Sequence, residues 1–560
     1  WKEAAEHFDR ALARRPDDAE ALYYRGVAAR AAADDHAARF FLWQAARTPE
    51  FARAARSLLA EMAAAGGDDA SARALLGETP DDGRGRALLA ALNRHAGIPD
   101  SSHIALHGSP RSAWELRECY LAAAAVAQQD PEAFRDATGK ASLEALRQEW
   151  QDLIRREPET YLEIAHDYAS VGLLNDAIEV LREAAAVSTA PPILCYTLGW
   201  LLERAGHEVE AEKWFAKGRA LPVGASFPHR AESIPVLTRA IEREPEDGQA
   251  RLLLGTLLYA RGRKEEAVRL WDEAIAREPN HALLRRNRGW AAWRCGDLDA
   301  AAAHYDAALA AEPEEFHRYV ERDRIAEARN EDPAERLARL QGAPASVRRR
   351  GDVAAREAAL LVRLGRFEAA ISLLEQRRFH PWEGALGMRR LYVDAHVGHG
   401  MAHFSRGDVT SALRAFQRAL EYPRHIGVGK PARPHDAEPL TLAGIAAAQG
   451  GREHDAAPFW EQAAAEVYPQ PAAGWFYQSL SLARLGRHVE ARERAEALAR
   501  HAGARVEKTP EDGEGHFLLG LALLALGRVA EAHGHLDRVL THDPYHFRAR
   551  FWRTREAPPG

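Results

Sequence analysis

The 560-residue sequence predicts an all-α fold, a right-handed α-α superhelical solenoid of stacked helical hairpins. Three observations lead there. Marker residues recur at one fixed spacing through 248–313. Ala, Leu, Arg and Glu dominate, and runs of alternating β-branched residues are absent. No apolar run is long enough to span a membrane.

The markers of the first copy are Leu254-Gly255, Gly262, Ala267, Trp271, Ala274 and Pro279. Those of the second are Arg288-Gly289, Gly296, Ala301, Tyr305, Ala308 and Pro313, each 34 residues on. Gly255 and Gly289 are small, which lets the second helix of a hairpin lie against the first. Gly262 and Gly296 end the first helix in a left-handed conformation that costs glycine little. Ala267 and Ala301 keep the crossing tight. Trp271 and Tyr305 are expected to fill the layer between neighbouring hairpins. Pro279 and Pro313 stop the second helix. This period and marker set resemble the tetratricopeptide repeat (TPR), a fold that serves many functions, so it does not name a ligand.

The elements then read in order. Segment 1–16 carries Ala4, Phe8, Ala11 and Pro16, the second half of a repeat, so the natural protein is expected to extend upstream. Segment 19–49 is a repeat with Leu22, Gly26, Ala38 and Ala45. Segment 50–80 holds two short helices around Gly66-Gly67, and 81–97 reads as a degenerate helix pair. Pro, Ser, His and Gly break the pattern at 99–110. Helices follow at 113–129 and 141–156. Repeats return at 158–188 and 192–221, and a helix over 230–243 feeds the central pair. A charged helix spans 314–329, and Asp332-Pro333 supplies an N-cap and first-turn proline for the next. Further repeats cover 347–377, 393–421, 441–465, 472–500 and 513–544. Long loops interrupt at 378–388 and 422–439, a length often tied to function. Segment 545–555 reads as a terminal helix covering the last apolar face. The chain thus divides into N-terminal repeats at 1–97, a helical junction at 98–157, a central array at 158–377 and a C-terminal array at 378–560.

The net charge of −7 does not suggest a large nucleic-acid surface. Cys119, Cys195 and Cys295 form no disulfide framework or zinc spacing, which fits a reducing compartment and a cytoplasmic protein. No nucleophile elbow, phosphate-cradling loop or HExxH motif occurs, so no catalytic residue and no cofactor are expected.

Candidate binding residues follow from register. First-helix residues line the hollow side of such a solenoid. They are Tyr196, Trp200, Glu203 and Arg204, then Thr256 and Tyr259, then Arg286, Trp290, Trp293 and Arg294. Aromatic and arginine side chains together suit a peptide or a sugar. The alternative is that Trp290 and Trp293 pack on an adjacent hairpin. His396, His399 and His403 share one helix face. Either they ligate a metal, or His399 and His403 are interior residues, the reading adopted here with no metal expected. In the loop, His380, Trp382 and Glu383 could do acid–base work or hold a sugar; alternatively Phe379 and Trp382 anchor the loop while His380 and Glu383 cap helices. The run 348–350 reads as a solvated arginine face. A two-carboxylate peptide clamp is not expected, because Leu252 and Thr256 stand at its positions.

Several stretches resemble one group of large bacterial TPR proteins. They are Tyr161-Leu162-Glu163-Ile164-Ala165, Phe227-Pro228-His229-Arg230-Ala231-Glu232-Ser233, Asp323 with Glu335-Arg336-Leu337, Arg350-Gly351-Asp352, 379–384, and Tyr422-Pro423 with 426–431. The resemblance runs from about residue 150 to the C-terminus. It implies an upstream β-sandwich domain similar to galactose mutarotase and a link to carbohydrate metabolism. The chain departs from that group at Ala385-Leu386-Gly387, where the group continues Gly-Glu-Gly. The expected function is a non-catalytic scaffold that binds a protein, a peptide or its own upstream domain through the groove. The rival is an accessory part of a carbohydrate-active enzyme whose 379–384 loop reaches a sugar. Neither nucleic acid nor membrane is an expected partner.

Overall fold

Each regular hairpin closes on one small residue. In the computed structural model, which describes residues 1–77, 83–98, 112–129, 137–156, 159–187, 190–224, 227–380 and 386–555, a Cβ placed on Gly255 would stand 2.5 Å from Trp271 Nε1. A Cβ on Gly289 would stand 2.8 Å from Tyr305 Cδ2. The same seat recurs as Gly199 on Phe215, Gly400 on Phe416 and Gly444 on Trp460, always 16 residues apart. Trp271 therefore fills a notch in its own hairpin; Tyr305 fills the matching notch and also reaches the layer between hairpins as expected, its hydroxyl donating to Glu321 and its ring packing with Ile325 of the next helix. The indole and phenol are too large to leave the facing helix any side chain.

The rest of the repeat follows from this seat. Ala267, Ala301 and Ala412 have no exposed surface, because the helices cross at that level. Gly262 and Gly296 take φ of 83° and 84°, the left-handed turn that reverses the chain. The next helix is often opened by an aspartate. Asp247 accepts from Ala250 N–H at 2.8 Å and Asp297 from Ala300 N–H at 3.0 Å. Asp332 caps its helix by accepting from Ala334 N–H at 3.2 Å, with Pro333 in the first turn.

Among the described residues every regular element is a helix, and consecutive helices pack as hairpins, so the all-α solenoid is the observed fold class. No helix among them is long and apolar enough to cross a membrane. The chain forms two compact units, Trp1–Pro279 and Asn280–Gly560.

In the first unit, hairpins pair Ala19–Ala31 with Asp35–Ala45, Ala52–Ala65 with Asp69–Gly77, Pro192–Arg204 with Glu208–Ala220, and Gly248–Ala260 with Lys264–Arg277. Where a helix pair was expected at 81–97, one helix, Gly83–His95, runs through; Gly85 sits inside it and does not break it. The expected loop at 99–110 lies outside the described residues. Helix Ala113–Gln129 packs on Gly83–His95 through charge as well as apolar surface. Arg86 grips Glu115 with two bonds of 2.9 and 3.0 Å, and Arg94 grips Glu118 with bonds of 3.1 and 3.0 Å. Arg117 donates to Tyr168 Oη at 2.9 Å.

In the second unit the first helices also touch one another in a row. Gly351–Arg363 meets Leu386–Ser405, and Ala437–Gln449 meets Ala473–Arg484, which meets Gly513–Ala525. Helix Leu386–Ser405 starts seven residues before the repeat read at 393, which shortens the expected loop. The terminal helix Phe547–Arg553 does more than cover the last hairpin. It packs on the preceding helix and also returns to Leu386–Ser405. Arg548 is held by Glu438 and Asp394, and Trp552 Nε1–H donates to Tyr477 Oη at 3.2 Å.

Candidate functional site

The expected groove residues divide by burial. Tyr196 is fully buried, so its place in a groove is corrected. Its hydroxyl donates to the Asp247 carboxylate, 3.0 and 2.8 Å from the two oxygens, and that carboxylate caps the helix starting at Gly248. Tyr196 is a strut between two hairpins. Burial pushes the Tyr196 phenol well up, and it also raises the Asp247 carboxyl.

Four residues along, Trp200 is half-buried and Arg204 is exposed. The Arg204 guanidinium lies 4.6 Å from the Trp200 ring centre and has no ion-pair partner among the described residues. Glu203 beside it is neutralised by Arg239 and Arg243, at 2.8 and 2.5 Å. Tyr259 is half-buried and tilted on Trp271, with ring centres 5.4 Å apart. Thr256 turns inward and donates to Leu252 O at 2.8 Å.

In the second unit, Trp290 and Trp293 meet edge to face at 5.4 Å. Trp293 also packs on the cluster around Ala301, Tyr305 and Ile325, as the packing alternative required of it. Arg286 is engaged with Glu321, whose carboxylate also accepts from Tyr305 Oη at 2.8 Å. Arg294 is exposed and without an ion pair among the described residues.

The histidine face is corrected as well. His396, not His399 or His403, is the interior residue, 3% exposed and 4.4 Å from the Tyr392 ring. The packed seam runs through Tyr392, His396 and Gly400, so His399 and His403 stand one position off it. Those two are half-buried, with their Nε2 atoms 3.1 Å apart. Burial, and then the Arg418 charge, hold the His396 imidazole down at about 3. No group of three His, Cys, Asp or Glu among the described residues is placed to hold a metal ion.

Of the loop cluster, Phe379 is buried and its N–H donates to His425 O at 2.7 Å, and His380 is exposed. Trp382 and Glu383 lie outside the described residues. Phe379 does anchor the loop. The arginine run is split: Arg348 turns in to Glu357 at 3.3 Å, and Arg349 and Arg350 are exposed, Arg350 lying 4.0 Å over the Phe316 ring.

Two buried charge clusters were missed at the sequence level. Asp323 stands 34 residues after Gly289, where the repeat wants its small residue. Arg336 clasps it with bonds of 2.9 and 3.1 Å, and Arg356 bonds it too. Burial pushes the Asp323 carboxyl up, and the two guanidiniums more than reverse that, leaving it below the usual range. An acid at a glycine position was a readable signal. The second cluster is Arg548 with Glu438 at 2.6 and 2.8 Å and Asp394 at 2.6 Å. Nothing local could have found it, since Arg548 and Glu438 are 110 residues apart.

The family model for the tetratricopeptide repeat matches residues 1–39, 229–272, 253–316, 355–437 and 490–547, together a little under half of the chain. Of these, 229–316 and 355–437 carry the Gly–aromatic seat and the left-handed turn described above. The matched segments are tetratricopeptide repeats. Among solved structures, the chain is similar to a TPR protein, YrrB, described as having an unusual peptide-binding site: 17% identity, 47% of this chain and 97% of that one, TM-score 0.20. It is similar to yeast Tom70 at 14% identity over 88% of this chain and 97% of that one, TM-score 0.23. It is similar to a chain of the APC/C hetero-tetramer Cut9–Hcn1 at 13% identity over 98% of each chain, TM-score 0.25. At these identities and scores neither the partners nor the curvature of those proteins carry over to this chain.

Proposed function

We propose that this chain is a non-catalytic scaffold that holds a protein or peptide along the exposed faces of its first helices. The observation that carries the reading is that the fold already uses such a row of helices as a docking surface. In the second unit it holds the short helix Phe547–Arg553, which offers an arginine and two aromatics, Arg548, Phe551 and Trp552. The same residue types face outward elsewhere, as Trp200 with Arg204 and as Trp290 near Arg294. Rigid aromatics flanked by guanidinium groups are the side chains that most often anchor a partner. The partner is carried either on another chain or on a domain joined upstream, as the resemblance implies, and the compartment proposed is the cytoplasm.

A displayed peptide library selected on the full chain tests this. Selected peptides should lose affinity roughly tenfold or more on W200A/R204A or on W290A/R294A, the loss typical of removing an interface anchor. Binding untouched by both pairs retires the groove.

A further inference from the structure

The second unit contains a cleft of about 1130 Å³ between helices Phe316–Ala328, Gly351–Arg363, Leu386–Ser405 and Phe547–Arg553. We infer that this cleft docks an acidic peptide segment, one that carries several Asp or Glu side chains. The inference rests on the scaffold reading and names the partner chemistry of one site on it.

Charge complementarity carries it. Four of the arginines lining the cleft are neutralised internally: Arg336 and Arg356 by Asp323, Arg363 by Asp543 at 3.0 Å, and Arg548 by Glu438 and Asp394. Arg324, Arg349 and Arg378 also line it and have no ion-pair partner among the described residues. Arg350 stacks on Phe316 without a carboxylate among them. On the acidic side, Asp352 is the cleft carboxylate left unpaired among the described residues. Four open guanidiniums therefore face one open carboxylate.

These arginines are set by separate, fixed pieces of backbone. Arg324 projects from a first helix, and Arg349 and Arg350 form the corner before Gly351. Arg378 precedes Phe379, which is buried and tied by its N–H to His425 O at 2.7 Å. Partly exposed Val320, Ala355 and Leu391 line the cleft among them and offer an apolar bed. A guanidinium takes a carboxylate with two parallel bonds, so arginine at these corners suits side chains of Asp and Glu.

The volume exceeds the ~300–1,000 Å³ usual for a small-molecule pocket, which leaves room for a stretch of peptide. A long polyanion fits less well. The chain carries a net −7, so its overall charge does not favour an extended nucleic acid. A short acidic segment meets only the local field, since charges beyond ~10 Å are screened at ordinary salt.

The test is fluorescence anisotropy of the full chain with a short fluorescein-labelled Glu/Leu peptide, at low and at physiological salt. Saturable binding is expected, weakening as salt rises. The charge-reversal triple R324E/R349E/R378E should reduce affinity at least roughly tenfold, as loss of complementary charges at an interface does. R414E, a reversal at an exposed arginine outside the cleft, should leave this binding unchanged, and a Lys/Leu peptide should not bind. Circular dichroism checks the fold of the triple; if it unfolds, the three single reversals are read in its place, each expected to weaken binding. Absence of saturable binding overturns the inference. So does affinity indifferent to the reversals, or single-stranded DNA held more tightly through the same arginines. The two readings fail separately. Library peptides that depend on Trp200 and Arg204 while the acidic peptide ignores the cleft would sink this site and leave the scaffold standing.

Discussion

The hairpin at 282–311 and the one after it, at 316–341, meet the same geometric demand with different chemistry. In the first, Gly289 leaves a notch and Tyr305 fills it. In the second, Asp323 stands at the glycine's place, and positions 335 and 339 hold Glu and Arg where Ala and an aromatic are usual. A carboxylate there cannot be left dry and alone, so Arg336 and Arg356 converge on it. Asn330, seven residues on, takes the left-handed φ of 53° that Gly262 and Gly296 take elsewhere. The backbone turn is kept although the glycine, alanine, aromatic and proline markers have all changed. The repeat specifies a path for the chain, and more than one set of side chains can hold it.

The comparison can be broken most sharply at Asp323. Removing one partner of a buried ion pair typically costs about 3–5 kcal/mol, because the other charge stays behind. D323A should therefore strongly destabilise the second unit in urea unfolding. D323G restores the residue of the neighbouring repeats, yet it should be as damaging, since Arg336 remains. A neutral D323G would show that the ion pair is incidental. R548A is expected to have a similar but more local effect, read as lost hydrogen-exchange protection over 547–553 with protection elsewhere intact.

Next in size is G255A. Its Cβ would meet Trp271 Nε1 at 2.5 Å, and overpacking of this kind costs about 1–3 kcal/mol. W271L in the G255A background should recover part of the loss. If G255A alone is silent, the seat is looser than the distance implies.

The pH dependence should be gentler. His396 is held at about 3 when folded, against 6.5 unfolded, so below pH 6.5 the unfolded chain binds a proton that the folded chain refuses. Stability should then fall as pH drops from 6.5 toward 3, and H396N should flatten that slope in denaturant midpoints measured at pH 7.5 and pH 5. Asp323 acts in a lower window. Its folded value lies below the ordinary 3.8, so its contribution is present above 3.8 and is lost as pH falls through the folded value. The smallest effect belongs to A33G. Ala33 sits at φ 59°, and relief of that turn should add about 0.5 kcal/mol or less, since glycine also loosens the unfolded chain.

The candidate surfaces were legible to different degrees. Trp200 and Arg204 were found by register and do face outward together, because an exposed position on a regular helix follows from its phase. Tyr196 was placed by the same logic and is buried, since Asp247 draws its hydroxyl across to the next hairpin. The arginine corner at 349–350 read as plain solvated surface. Its neighbours in the cleft, Arg324 and Arg378, are distant in sequence, so their convergence had no linear trace.

By itself the sequence determined the all-helical fold, the 34-residue period and the hairpin ends, because small residues, left-handed glycines and prolines act on the chain within a few turns of themselves. Which charges are buried and which stay open was decided only by the tertiary structure. Arg548 and Arg378 look alike in the sequence. One is sealed against Glu438 and Asp394, and the other faces an open cleft, because desolvation and pairing depend on what the fold brings within a few ångströms.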